Sequence, residues 1–204
     1  MNPSPLVNGL SGVIAILRGV TPDEAVPLAE ALAAAGLATL EVPLNSPQPF
    51  ESLRRMHRAL GAHVRLGVGT VLDPDDVDRA ADAGATLVLS PHFDAAVVRR
   101  TVARGLVAMP GVATPSEGFA ALAAGAQMLK LFPAEMLGPP VLKAWRAVFP
   151  PATPMVPVGG VGAHNLAAYK AAGAAAVGVG SSLYAPGVTA AEAARRARAL
   201  VAAW

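Results

Sequence analysis

Six glycines recur along this chain at nearly even spacing, and each closes the same small unit: an Ala-rich helical stretch, the glycine, then a short apolar run ending in a polar, Pro or Gly turn. They are Gly36, Gly61, Gly84, Gly105, Gly125 and Gly173, at intervals of 25, 23, 21, 20 and 48 residues, the last holding two beats. The missing beat falls at Phe149-Pro150-Pro151, where proline stops the helix instead. A glycine just past a helix end takes up the left-handed backbone that other residues resist. The unit repeats too often for an irregular fold.

The apolar runs predict strands at 12–17, 38–43, 64–70, 86–90, 106–110, 128–132, 155–158 and 176–180. They are almost continuously apolar, as parallel strands covered on both faces must be. Helix starts fall at Thr21-Pro22-Asp23-Glu24, Ser46-Pro47, Asp73-Pro74, Thr114-Pro115-Ser116-Glu117 and Gly138-Pro139, several with acid in the first turn. Eight strands alternating with eight helices in 204 residues describe an α/β fold, a (β/α)₈ TIM barrel, as one domain over residues 1–204. A doubly wound open sheet is weaker, because no Gly-x-Gly-x-x-Gly opens the first helix.

Composition narrows the function. The chain is 53% apolar and 15% charged, and its 20 glycines and 19 prolines are spread along it, not pooled in a linker. Net charge is +2, and no basic block with interleaved aromatics marks a nucleic-acid surface. Arg195, Arg196 and Arg198 read as a solvated helix face. With no cysteine, disulfide and thiolate chemistry are excluded. Residues 1–9 lack a basic n-region, and the apolar run 13–17 is too short for a signal peptide. The uncharged stretch 171–191 is long enough to span a bilayer, but glycines and Pro186 interrupt it. A soluble, cytoplasmic protein without a membrane partner is expected.

In such a barrel the site lies at the C-terminal ends of the strands. Two charges there are out of place. Lys130 stands between Leu129 and Leu131, and Glu41 between Leu40 and Val42. Either they form a buried structural ion pair, or Lys130 is a desolvated amine able to attack a carbonyl with Glu41 as its acid and base. Other strand-end residues are Arg18, Thr70 and the Ser90-Pro91-His92 turn. Gly159-Gly160 and Gly180-Ser181, after the last two strands, expose backbone N–H groups suited to a phosphate. His57, His63, His92 and His164 lack metal-ligand spacing and read as loop or helix-surface residues. Asp75, Asp76 and Asp78 suit a helix dipole. No metal is inferred.

The motifs Ile14-Ala15-Ile16-Leu17-Arg18, Leu40-Glu41-Val42-Pro43-Leu44-Asn45-Ser46-Pro47, Gly67-Val68-Gly69-Thr70-Val71, Ser90-Pro91, Met109-Pro110-Gly111, Leu129-Lys130-Leu131-Phe132-Pro133-Ala134-Glu135 and Val158-Gly159-Gly160-Val161 stand in order on these strand ends. Through them the chain resembles the 2-keto-3-deoxy-6-phosphogluconate and 6-phosphogalactonate aldolase family over essentially its whole length. The resemblance implies a class I aldolase, usually a homotrimer, that needs no cofactor. Lys130 matches the Schiff-base lysine and Glu41 the general acid and base. Arg18, Thr70 and backbone near Pro91 would hold the carboxylate end, Phe132 would pack on the pyruvyl carbons, and Gly159, Gly160, Gly180 and Ser181 would hold the phosphate. Asn45 and Val158 depart from the gluconate-type pattern, which has Arg and Thr there, and look like the galactonate branch. The expected reaction is therefore reversible cleavage of 2-dehydro-3-deoxy-6-phosphogalactonate to pyruvate and glyceraldehyde 3-phosphate, with the gluconate epimer as alternative or additional substrate. A phosphosugar isomerase or a binding barrel without imine chemistry ranks below it.

Overall fold

The computed structural model describes residues 10–204; residues 1–9, read above as lacking a basic n-region, lie outside the described residues. Strand and helix alternate throughout: β1 (Gly12–Ile16), α1 (Pro22–Ala34), β2 (Thr39–Pro43), α2 (Pro49–Leu60), β3 (Arg65–Gly69), α3 (Pro74–Asp82), β4 (Leu87–Leu89) and α4 (Ala95–Ala103). The second half continues with β5 (Val107–Met109), β6 (Gly111–Val112), α5 (Pro115–Ala123), β7 (Leu129–Leu131), α6 (Ala134–Arg146), β8 (Met155–Pro157), α7 (Leu166–Ala171), β9 (Ala176–Val179) and α8 (Ala190–Ala203). Every strand pairing is parallel.

Five of the six repeating glycines do what their spacing predicts; Gly61 (φ 54°, ψ −137°) ends α2 outside the left-handed helical region and opens a short 3-10 turn. Gly36, Gly84, Gly105, Gly125 and Gly173 all have φ between +71° and +105°. After each, the next N–H reaches back to the last helical turn, as Leu37 donates to the Leu32 carbonyl and Ala85 to that of Ala80. These are Schellman closures, and they turn the chain from helix into strand.

The strands form a curled six-stranded sheet ordered β5-β4-β3-β2-β1-β9 and a three-stranded sheet ordered β6-β7-β8. A single bridge, Val158 to Gly178, sets β8 beside β9. The expected run 106–110 holds β5, and a further short strand, β6, follows it after Pro110, so the described residues hold nine strands instead of eight. The cause is Pro110, which has no N–H for the ladder. Its carbonyl still accepts from the Lys130 backbone N–H at 2.9 Å, so the chain runs on from β5 into β6.

Two helix starts also differ. Helix α2 begins at Pro49, not at Ser46-Pro47, because Gln48 precedes a second proline and is kept out of helical backbone (φ 44°). The Ser46 hydroxyl instead accepts from the Gly19 N–H at 2.9 Å. Helix α6 begins at Ala134, and the expected start at Gly138-Pro139 is a kink inside it (φ 72° at Gly138). Helices α1 and α5 start after Thr21 and Thr114 as expected, and the Thr21 and Thr114 N–H groups donate to the Glu24 and Glu117 carboxylates.

Apolar side chains divide by strand parity. One cluster, with Ile14, Ile16, Leu87, Leu89, Val107, Met109, Met128, Val156, Val158 and Ala176, comes from strands and strand ends and not from helices. The larger cluster packs the opposite strand faces against the helices. Fully burying each such Leu, Ile or Met stabilises by about 1.5–3 kcal/mol. Lys130 lies two residues beyond Met128, on the inward face that Met128 defines. Among the described residues no helix is long and apolar enough to cross a membrane. Residues 171–191 are divided among the end of α7, β9, the turns on either side of it and the start of α8.

Candidate active site

Burial sets the chemistry of the two misplaced charges. Lys130 on β7 is 6% exposed and Glu41 on β2 is 2% exposed. Desolvation lowers the Lys130 pKa below the ordinary 10.5; the Glu41 charge opposes this and the Arg18 charge adds to it. Desolvation also raises the Glu41 pKa above 4.5, against the pull of Lys130 and Arg18. No ion pair joins Lys130 to Glu41 among the described residues, and Glu41 Oε2 is buried without a hydrogen-bond partner. The structural ion pair weighed above is thus not formed. Burial instead shifts both groups toward their neutral forms, while each charge still opposes the shift of the other.

Glycine makes the room for Glu41. A Cβ at Gly69, on the neighbouring strand β3, would lie 1.6 Å from Glu41 Oε1, so no larger residue fits there while the carboxyl stays in place. Gly178 likewise faces Val158, whose Cγ2 would lie 2.7 Å from a Cβ there. Phe132 presents its ring to Lys130 Nζ at 4.7 Å.

Phe132 also lines a cavity of about 590 Å³ between the ends of β1, β7, β8 and β9. Of the expected site residues, Arg18, Phe132, Val158, Gly159, Gly160, Gly180 and Ser181 line it. Lys130, Glu41, Thr70 and Pro91 do not; Lys130 adjoins it through the Phe132 ring. Thr70, just after β3, has left-handed backbone (φ 60°), a strained state for a β-branched residue. Pro91 packs its carbonyl against Gly111, where a Cβ would sit 2.3 Å away.

The loop after β8 is braced by side-chain hydrogen bonds. Gly159 and Gly160 have φ of 102° and 66°. Asn165 accepts from the Gly162 N–H at 3.0 Å and donates through Nδ2 to the Gly160 carbonyl at 2.9 Å. Ser182 donates to the Val161 carbonyl at 2.8 Å, tying the β8 and β9 loops together. Sequence reasoning missed several residues of the wall: Gly19, His164, Ser182 and Tyr184. His164 is a loop residue, as expected, but it also faces the cavity; its nearness to Gly159-Gly160 was the available signal. Among the described residues no group of three His, Asp or Glu is placed to hold a metal ion. Asp78 instead pairs with Arg100 and Arg104, and Asp76 with Arg79.

A family model for KDPG and KHG aldolase matches residues 9–199. The chain belongs to that aldolase family. It is 46% identical over 192 residues to the probable 2-dehydro-3-deoxy-6-phosphogalactonate aldolase of Rhizobium meliloti (strain 1021), covering 94% of this chain and 91% of the relative. It is 44% identical to the 2-dehydro-3-deoxy-6-phosphogalactonate aldolase of Escherichia coli (strain K12), covering 94% of both. A solved structure described as native KDPGal superposes with a TM-score of 0.92 at 44% identity, covering 94% of this chain and 93% of that one. Schiff-base chemistry is general to the KDPG and KHG aldolases, and the buried Lys130, its pKa lowered by desolvation, suits it.

Proposed function

We propose that this protein is a class I aldolase that reversibly cleaves 2-dehydro-3-deoxy-6-phosphogalactonate to pyruvate and D-glyceraldehyde 3-phosphate. The observation that carries the reading is a lysine and a glutamate, both buried and both pushed toward their neutral forms, beside a glycine-walled cavity in a member of this family. Both relatives described above, similar over nearly their whole length, carry the galactonate name.

The free Lys130 amine attacks C2 of the substrate. Glu41 moves protons as the carbinolamine loses water to an iminium, then accepts the C4 hydroxyl proton while the C3–C4 electrons flow into the iminium. Glyceraldehyde 3-phosphate leaves, the enamine is protonated at C3, and water releases pyruvate from Lys130. Arg18, Thr70 and backbone near Pro91 hold the substrate carboxylate, and Phe132 packs on the pyruvyl carbons. Gly159, Gly160, Gly180 and Ser181 hold the phosphate. Val158, 4% exposed at the cavity wall, bears on the C4 configuration.

The two sheets are best read as one closed (β/α)₈ barrel in a single domain. The Val158–Gly178 bridge supports closure on one side and the continuity through Pro110 on the other. The enzyme is proposed to act in the cytoplasm as a homotrimer. Pyruvate release from the two C4 epimers tests the substrate: the galactonate epimer should give the higher kcat/KM, and Val158→Thr should narrow the gap. Faster cleavage of the gluconate epimer by the unaltered enzyme would overturn the assignment.

A further inference from the structure

Arg18 is held by a neutral acceptor, as Arg146 also is, but of the two only Arg18 lines the cavity. Arg55, Arg79, Arg100, Arg104, Arg195 and Arg196 each pair with a carboxylate. Arg18 pairs with none among the described residues; its Nη1 donates to the amide Oδ1 of Asn45 at 2.7 Å. A neutral acceptor fixes one edge of the guanidinium and leaves its charge, and the rest of its donors, for a ligand.

The loop after β2 grips this turn a second time. The buried Ser46 hydroxyl accepts from the Gly19 N–H at 2.9 Å, next to Arg18 in the chain. From the other side Pro186 packs so closely that a Cβ at Gly19 would lie 2.7 Å from it. Arg18, Gly19 and Pro186 all line the cavity, whereas Asn45 and Ser46 do not. A long side chain at a strand end would otherwise spread over many rotamers. We propose that Asn45, assisted by Ser46, is a positioning residue that aims the Arg18 guanidinium at the carboxylate of a 2-keto acid in the cavity, a role that rests on reading the site as that of an aldolase.

The test is run in the synthetic direction, where pyruvate and glyceraldehyde 3-phosphate have separate KM values. Asn45 is exposed, so Asn45→Leu leaves the core untouched. It should raise the KM for pyruvate about tenfold, the loss expected for one hydrogen bond to a charged group. The KM for glyceraldehyde 3-phosphate should stay within about twofold, because that substrate brings the phosphate and not the carboxylate. Asn45→Gln, which keeps the amide acceptor, should recover part of the loss. If Asn45 acts through Arg18, adding Asn45→Leu to Arg18→Leu changes the pyruvate KM no further. An unchanged pyruvate KM in Asn45→Leu, equal loss for both substrates, or additive effects with Arg18→Leu would overturn the role while the unaltered enzyme still condenses the two substrates. Failure of the unaltered enzyme to form any product from them would overturn the aldolase reading itself, and this role with it.

Discussion

At the scale of single residues, burial shifts the Lys130 pKa down and the Glu41 pKa up, and the Arg18 charge acts on both. Only the free amine attacks a ketone, so the rate of pyruvate adduct formation should rise with pH through an inflection below 10.5. Glu41 raises the Lys130 pKa, so Glu41→Gln should move that inflection to lower pH; Arg18 lowers it, so Arg18→Leu should move it to higher pH. Borohydride trapping across a pH series reads both shifts, and movement in the same direction would contradict the electrostatic account. Glu41→Gln should also slow turnover by roughly 10²–10⁴-fold. These two charges were legible in the sequence because each interrupts a run of apolar residues. His164, Gly19 and Ser182 were not, because small or polar residues in turns are ordinary, and only the folded approach of the β1, β8 and β9 loops puts them on one cavity. Tyr184 was hidden for the opposite reason: it is buried like a core residue, and its hydroxyl has no hydrogen-bond partner.

At the scale of elements, glycine has two separable jobs here, closing helices and clearing space inside the sheet. Gly105 closes α4 with φ 71°, and no atom lies within 4 Å of the place a Cβ would take there, so Gly105→Ala should destabilise by about 1 kcal/mol and leave turnover intact. Gly69 clears space for Glu41, so Gly69→Ala must displace the carboxyl and should lower kcat by about 10²-fold. Thermal melts and steady-state assays on the pair check this; a fully active Gly69→Ala would show that the Glu41 position is not needed. The glycine period was readable from the chain because five of these helix ends need the same backbone state. The break at Pro110, the start of α2 at Pro49 and the kink at Gly138 were not, because proline and glycine punctuate a chain without stating which neighbours will supply the hydrogen bonds. Ser46 shows the same limit: it reads as a helix cap, but its hydroxyl binds the Gly19 N–H across the loop.

For the whole molecule, two desolvated titratable groups are a burden on stability that function explains. Lys130 binds its proton less well when folded, so its penalty is full below its lowered pKa and fades as pH rises to 10.5. Glu41 holds its proton more tightly when folded, so its penalty is full above its raised pKa and fades as pH falls to 4.5. Replacing both with methionine should therefore stabilise the inactive protein most near neutral pH, by about 1–4 kcal/mol, with the gain shrinking toward either extreme. Denaturant melts over pH measure it, and a less stable double variant at pH 7 would contradict the view that these charges are kept for chemistry. That chemistry is tested most directly by the intact mass after incubation with pyruvate and borohydride, followed by peptide mapping. A single reduced pyruvyl adduct on Lys130, absent from Lys130→Met, is the expected result; a folded protein that gains no adduct, or gains it on another lysine, would contradict the account.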